Sequence, residues 1–147
     1  MARVLSQTSH LHRVLGGQKV LRGRVTRYRG FAKLVREGLP YASLTSLSEI
    51  LDVHEQDLAD VLGIASRTLA RRLGKRLRPD ESDRLFRIAK VFTRAADVLG
   101  TQEKAACWMK SPQVALGNEE PLFLLDTEIG EDEVLALLGR IEHGVLN

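Results

Sequence analysis

Along most of the chain, apolar residues return every three or four positions, and glycine or proline punctuates the runs. That period predicts helices, and no stretch alternates convincingly as a strand would. Phe31, Leu34 and Val35 mark a first helix beginning near Gly30, which Gly38-Leu39-Pro40 should end. Leu44, Leu47, Ile50 and Leu51 stripe a second over residues 44–53, and Leu58, Val61 and Leu62 a third that stops at Gly63. Leu69 and Leu73, four apart, set the inner face of a fourth. Beyond Pro79 a long helix should run to about Leu99, capped by Asp80 or Ser82 and stopped by Gly100. Its inner stripe is Leu85, Ile88, Ala89, Phe92, Ala96 and Leu99, and its wet face Asp83, Arg87, Lys90, Arg94 and Asp97. A short helix over 102–110 carries Trp108, which its amphipathic setting assigns to the core. A loop bracketed by Pro112 and Gly117 leads to a second short helix, opened by Pro121. The last helix holds Glu131, Asp132 and Glu133 in its first turn, where the helix dipole favours acids. Val134, Leu137, Leu138 and Ile141 face inward, and Gly144 ends it. The fold class expected is all-α.

Residues 55–76, EQDLADVLGIASRTLARRLGKR, have the layout of a helix-turn-helix. Ala59 is small where a second helix must cross, Gly63 suits a left-handed turn, Ile64 plugs the corner, and the Ser66 hydroxyl can cap the second helix. Thr68, Arg71, Arg72 and Lys75 then share one face at i, i+3, i+4, i+7, and Arg67 sits near the helix start. Long cationic side chains so placed can reach guanine edges and phosphates, so Ser66, Arg67, Thr68, Arg71, Arg72 and Lys75 are the candidate DNA-binding residues. An ordinary helical hairpin with a solvated basic face has the same spacing. The inward leucines, the small residue and the glycine in register with the basic face favour DNA.

Charge sharpens the picture. Residues 1–79 carry 15 Lys/Arg against 6 Asp/Glu and residues 80–147 carry 7 against 13, so a front of +9 precedes a back of −6 within a net +3. The basic half suits a polyanion and the acidic half a different partner. Residues 1–28 hold no acid, and Gly16, Gly17 and Gly23 interrupt them; they read as a basic arm, either a solvated tail or a flexible strap for DNA phosphates.

Three divisions follow: an arm over 1–28, a helix-turn-helix domain over 29–79 and a helical C-terminal domain over 80–147. No apolar run approaches the ~18 residues of a membrane span. Ser6 to His10 are too polar for a leader's apolar segment. The single cysteine, Cys107, fits a reducing cytoplasm and the role of a small buried hydrophobe.

No catalytic or metal constellation emerges. His10 and His12 diverge on a helix, His54 stands where it can cap the third helix, and His143 closes the last one. Gly16-Gly17 lacks the lysine and hydroxyl of a phosphate loop, and no nucleophile elbow, HExxH or CxxC occurs. The chain is expected to be no enzyme and to need no cofactor.

Several short motifs then follow one another in a fixed order: SRTLARR, L-x-P-D-E-S-D-R-L-F-R-I-A, A-x-x-V-L-G, W-M-x-x-P, Leu116-Gly117, P-L-F-L-L-D-T-x-x-G and V-x-x-L-L-x-R-I-E-H-G. Over about residues 44–145 this order resembles the Xre/MbcA/ParS class of type II antitoxins, which join an Xre-like helix-turn-helix to a helical toxin-binding domain. The arm before Gly30 lies outside this resemblance. The resemblance implies a toxin partner encoded alongside, commonly a RES-domain enzyme that destroys NAD⁺ or a related ADP-ribosyltransferase-like protein. It also implies homodimers, hetero-oligomeric complexes and repression of the chain's own promoter. In such antitoxins the end of the chain blocks the toxin's active-site entrance, which here points to Arg140, Glu142, His143, Gly144, Val145, Leu146 and Asn147. Glu142 suits a basic nucleotide-phosphate pocket, and Val145 and Leu146 suit a cleft; the same residues would also be at home as a solvated acid and a C-cap contact. The alternative function is a stand-alone Xre-type repressor whose acidic half only dimerises.

Overall fold

The computed structural model describes residues 2–23 and 25–144. Among them lie nine α-helices: α1 (Ala2–Val14), α2 (Gly17–Leu21), α3 (Gly30–Glu37), α4 (Tyr41–Leu51), α5 (Glu55–Leu62), α6 (Ser66–Arg72), α7 (Pro79–Leu99), α8 (Gln102–Met109) and α9 (Glu128–Glu142). Two 3-10 helices, Val114–Leu116 and Pro121–Asp126, bridge α8 and α9. No strand occurs among the described residues, as the all-α reading requires.

Helix α7 organises the molecule. It packs against α1, α3, α5, α8, α9 and the second 3-10 helix. Leu85, Ile88, Ala89, Val91 and Phe92 are fully buried along it. One apolar cluster therefore continues from Leu11 and Leu15 through the helix-turn-helix to Val134 and Leu138. The helix starts with Pro79 in its first turn, where a missing N–H costs nothing. Its cap differs from the expected Asp80 or Ser82: Glu81 reaches back and accepts the Arg78 N–H at 2.8 Å. Ser82 is buried and serves another segment, accepting from the Leu39 N–H at 2.8 Å.

The basic arm is corrected. Ala2–Val14 is a helix, and Leu11, Val14, Leu15 and Leu21 enter the core. The carbonyls at the end of α1 find donors on α4: Ser46 Oγ donates to Val14 O at 2.9 Å and Ser43 Oγ to Leu15 O at 2.7 Å. Orphan carbonyls at a helix end need such partners, and here they pin α1 and α2 to the helix-turn-helix. Gly16 and Gly17 do interrupt the helix as expected, and they make the corner between α1 and α2 with φ of +112° and +70°.

Of the face of α7 read as wet, Asp83 and Asp97 are exposed as expected, but Arg87, Lys90 and Arg94 are partly covered by acids of α9. Glu131, itself buried, lies 2.9 Å from Lys90 Nζ and 3.9 Å from Arg87 Nε. Arg94 pairs with Glu142 and lies 3.6 Å from Asp97. Helix α9 starts earlier than expected, at Glu128, because Thr127 caps it, its Oγ1 accepting from the Gly130 N–H at 3.0 Å. Cys107 is exposed on α8, not buried, while Trp108 packs partly buried against the core.

Candidate nucleic-acid interface and the C-terminal face

The turn between α5 and α6 is built by backbone chemistry. Gly63 adopts φ +76°, its N–H donates to Asp60 O at 3.2 Å, and the Ile64 N–H donates to Ala59 O at 2.8 Å. Those two bonds make a Schellman motif and satisfy the end of α5. Arg84 Nη1, from α7, adds a bond to Leu62 O at 2.9 Å. Leu58, Ala59 and Leu62 are fully buried and Ile64 nearly so, which fixes α6 against α5.

The expected α6 face divides. Arg67 and Arg71 are exposed, and no carboxylate among the described residues lies within ion-pair distance of either. Ser66 is exposed and is the first helical residue; Ala65 takes the cap position, and no side chain caps the helix, so the capping role given to Ser66 is corrected. Thr68 is half-buried. Arg72 turns back into the protein: its Nε lies 3.2 Å from Glu81 Oε1, and Glu81 is buried. The helix ends there, so Leu73 swings out to 68% exposure instead of joining Leu69 in the core. Lys75 is exposed but sits in the following loop, no longer at i+7 of a helix.

That loop is clamped. The Tyr41 N–H donates to Lys75 O at 2.9 Å, and the Leu77 N–H to Leu39 O at 2.8 Å. The approach requires Gly38, whose φ is +92° and whose added Cβ would stand 2.2 Å from Leu77 O. Arg76 Nη1 donates to Gly38 O at 2.8 Å, an anchor sequence reading missed. A second anchor joins α4 to the first residue of α5: the Tyr41 hydroxyl donates to Glu55, and Thr45 Oγ1 donates to the other carboxylate oxygen at 3.1 Å. Burial, then the bond to Glu55, pushes the Tyr41 phenol up to about 12. No local pattern marks this pair.

At the other end, Arg140 is half-buried and His143 and Gly144 are exposed, Gly144 closing α9 with φ +71°. Glu142 pairs with Arg94 of α7 within the chain. Val145, Leu146 and Asn147 lie outside the described residues. Among the described residues, no three His, Cys, Asp or Glu side chains gather where they could hold a metal, and no helix is long and apolar enough to cross a membrane.

The same two regions are matched by known families. A family model described as the antitoxin Xre-like helix-turn-helix domain matches residues 30–90. A second, the antitoxin Xre/MbcA/ParS C-terminal toxin-binding domain, matches residues 94–144. A protein named Antitoxin Xre from Photorhabdus laumondii is 38% identical over 117 residues, 78% of this chain and 79% of the relative. This chain belongs to the Xre/MbcA/ParS antitoxin family. An Antitoxin Xre from Yersinia enterocolitica is 35% identical over 77% of this chain and 78% of its own length. A protein named Prs ADP-ribosylating antitoxin, from Sphingobium, is 24% identical over 76% of this chain and 77% of its own length. The antitoxin thus carries two regions of opposite charge on one core, an Xre-like helix-turn-helix in front and a toxin-binding domain behind. Family membership points to a regulator without catalysis.

Proposed function

We propose that the protein neutralises a cognate toxin by direct binding and represses its own operon by binding operator DNA, acting in the cytoplasm as a dimer within a toxin complex. The DNA role rests on one observation above all: Arg67 and Arg71 stand exposed, with no carboxylate of the described residues within ion-pair distance, on a helix that a Schellman turn and the buried Leu69 hold in place. A preformed helix spares the backbone part of the ordering cost, and arginines on it can read guanine edges. Ser66, Thr68 and Lys75 flank them, whereas Arg72 supports the helix from behind.

For the toxin, the reading is a RES-type enzyme that degrades NAD⁺, its active-site mouth closed by the end of α9 and residues 145–147. The name of the Sphingobium relative, which includes ADP-ribosylation, supports a partner whose chemistry uses NAD⁺. Glu142 supports the same reading, because a carboxylate at a helix end can exchange Arg94 for a basic residue of a nucleotide pocket. The pair with Arg94 also favours a second reading, a stand-alone repressor, because it leaves Glu142 satisfied without a partner.

Co-expression with the neighbouring reading frame tests the proposal. Growth arrest and loss of cellular NAD⁺ by that product should both be relieved, and the two proteins should co-purify. Deleting residues 141–147 should abolish relief while duplex binding survives. A harmless neighbour that does not co-purify would leave only the repressor.

A further inference from the structure

The N-terminal segment, which its sequence leaves open as a solvated tail or a flexible strap for DNA phosphates, is folded, and it forms one wall of a groove. Lys19 and Arg22, from the end of α2, face Lys33 and Glu37 of α3 and Lys75 and Arg76 of the clamped loop across an open groove of about 720 Å³. Five cations thus surround one carboxylate, and that carboxylate is already 3.9 Å from Lys33. The imbalance is written into the chain: the first 36 residues hold nine Lys/Arg and no Asp/Glu. All five cations are exposed.

Both walls are fixed in place. Arg22 adopts φ +51° and closes α2, its N–H donating to Gln18 O at 2.9 Å. Leu21 beside it is buried, and the serine bonds from α4 hold the preceding corner. The opposite wall is held by the Leu39–Leu77 and Tyr41–Lys75 backbone bonds. Lys75 follows α6 by three residues, so the groove continues directly from the recognition helix.

We propose that this groove seats the sugar-phosphate backbone of the duplex beside the segment that α6 reads. The inference rests on the duplex-binding reading and deepens it. A rigid row of exposed cations gains affinity by releasing condensed counterions, irrespective of base sequence. The folded hairpin therefore widens the contact from the base-reading helix to a flanking strand, with Arg67 and Arg71 supplying discrimination and Lys19, Arg22 and Lys33 supplying grip.

The experiment measures binding of the full chain to a mixed-sequence duplex of about 30 base pairs across about 50–200 mM salt. Lys19→Gln/Arg22→Gln/Lys33→Gln should bind at least about tenfold more weakly, and its salt dependence should flatten by about 0.9 per phosphate contact given up. Glu37→Gln should bind about two- to threefold tighter, a gain that no folding defect can mimic. Unchanged affinity and slope in the triple variant, with Arg67→Ala/Arg71→Ala still weakened, would overturn the groove and leave the recognition helix standing. Failure of the wild-type chain to bind any duplex would overturn both together.

Discussion

Arg72 Nε of the recognition helix lies 3.2 Å from Glu81 Oε1 on α7, and Glu81 also accepts the Arg78 N–H at 2.8 Å. One buried carboxylate thus ties α6 to the start of α7. Neighbouring arginines on one short helix consequently have opposite duties. Arg72→Ala leaves Glu81 buried without its cation and should lower stability by about 2–3 kcal/mol. Arg71→Ala, at an exposed position, should move stability by less than about 0.5 kcal/mol yet weaken operator binding by about 1–3 kcal/mol if it reads a base. Chemical denaturation and duplex titration of both variants separate the two effects. Equal stability losses would show that the Glu81 pair contributes nothing.

Two glycines of α9 should respond with opposite signs to the same change. A Cβ on Gly130 would stand 1.7 Å from Leu124 O, because the second 3-10 helix crosses the first turn there. Gly130→Ala must therefore push a backbone aside, and a loss of about 3 kcal/mol or more is expected. A Cβ on Gly139 meets nothing within 4 Å. Gly139→Ala should gain about 0.5–1 kcal/mol from helix propensity. Thermal unfolding of the two variants reads both signs, and a stabilised Gly130→Ala protein would refute the close crossing.

Much of this architecture was legible because it depends on local period. The stripe of α7, the Gly63 turn and the inner face of α9 follow from spacing and from glycine's access to positive φ. What escaped depends on partners distant in sequence. Leu73 reads as the next rung of α6, but the pairing of Leu77 with Leu39 pulls the chain out of the helix after Arg72. Arg87, Lys90 and Arg94 read as solvated until Glu131 and Glu142 arrive from α9. Hydrophobic spacing also said little about α1, whose anchorage depends on serines some 30 residues onward. In the site, α6 and its exposed arginines were legible, whereas the groove was not, since its two walls meet only after folding.

Glu131 gives a test of how α9 is held. Its carboxylate lies 2.9 Å from Lys90 Nζ and 3.9 Å from Arg87 Nε, and both Glu131 and Arg87 are largely shielded from water. Removing the acid takes from Lys90 its carboxylate and leaves Arg87 with Asp83, 3.7 Å away. Glu131→Ala should cost about 2–4 kcal/mol, and Glu131→Gln somewhat less because it keeps the volume. A double-mutant cycle with Lys90→Ala should show a coupling above about 0.5 kcal/mol; strict additivity would assign the loss to packing alone.

Tyr41 makes the helix-turn-helix sensitive to alkali. Burial and the bond to Glu55 favour the neutral phenol in the fold and raise its pKa from the ordinary 10.0 to about 12. Because the folded value is the higher one, the stabilisation is complete below about pH 10 and is lost as the pH rises through about 12. Tyr41→Phe lacks the titrating group, so its stability should fall less steeply than the wild type's between about pH 10 and 12. The chain has two tyrosines, so Tyr28→Phe leaves Tyr41 as the sole phenol for an absorbance titration. Its midpoint should lie near 12 in the folded protein and return to about 10 in denaturant. A midpoint near 10 in both states would mean that the Tyr41–Glu55 bond does not hold α4 to α5 in solution.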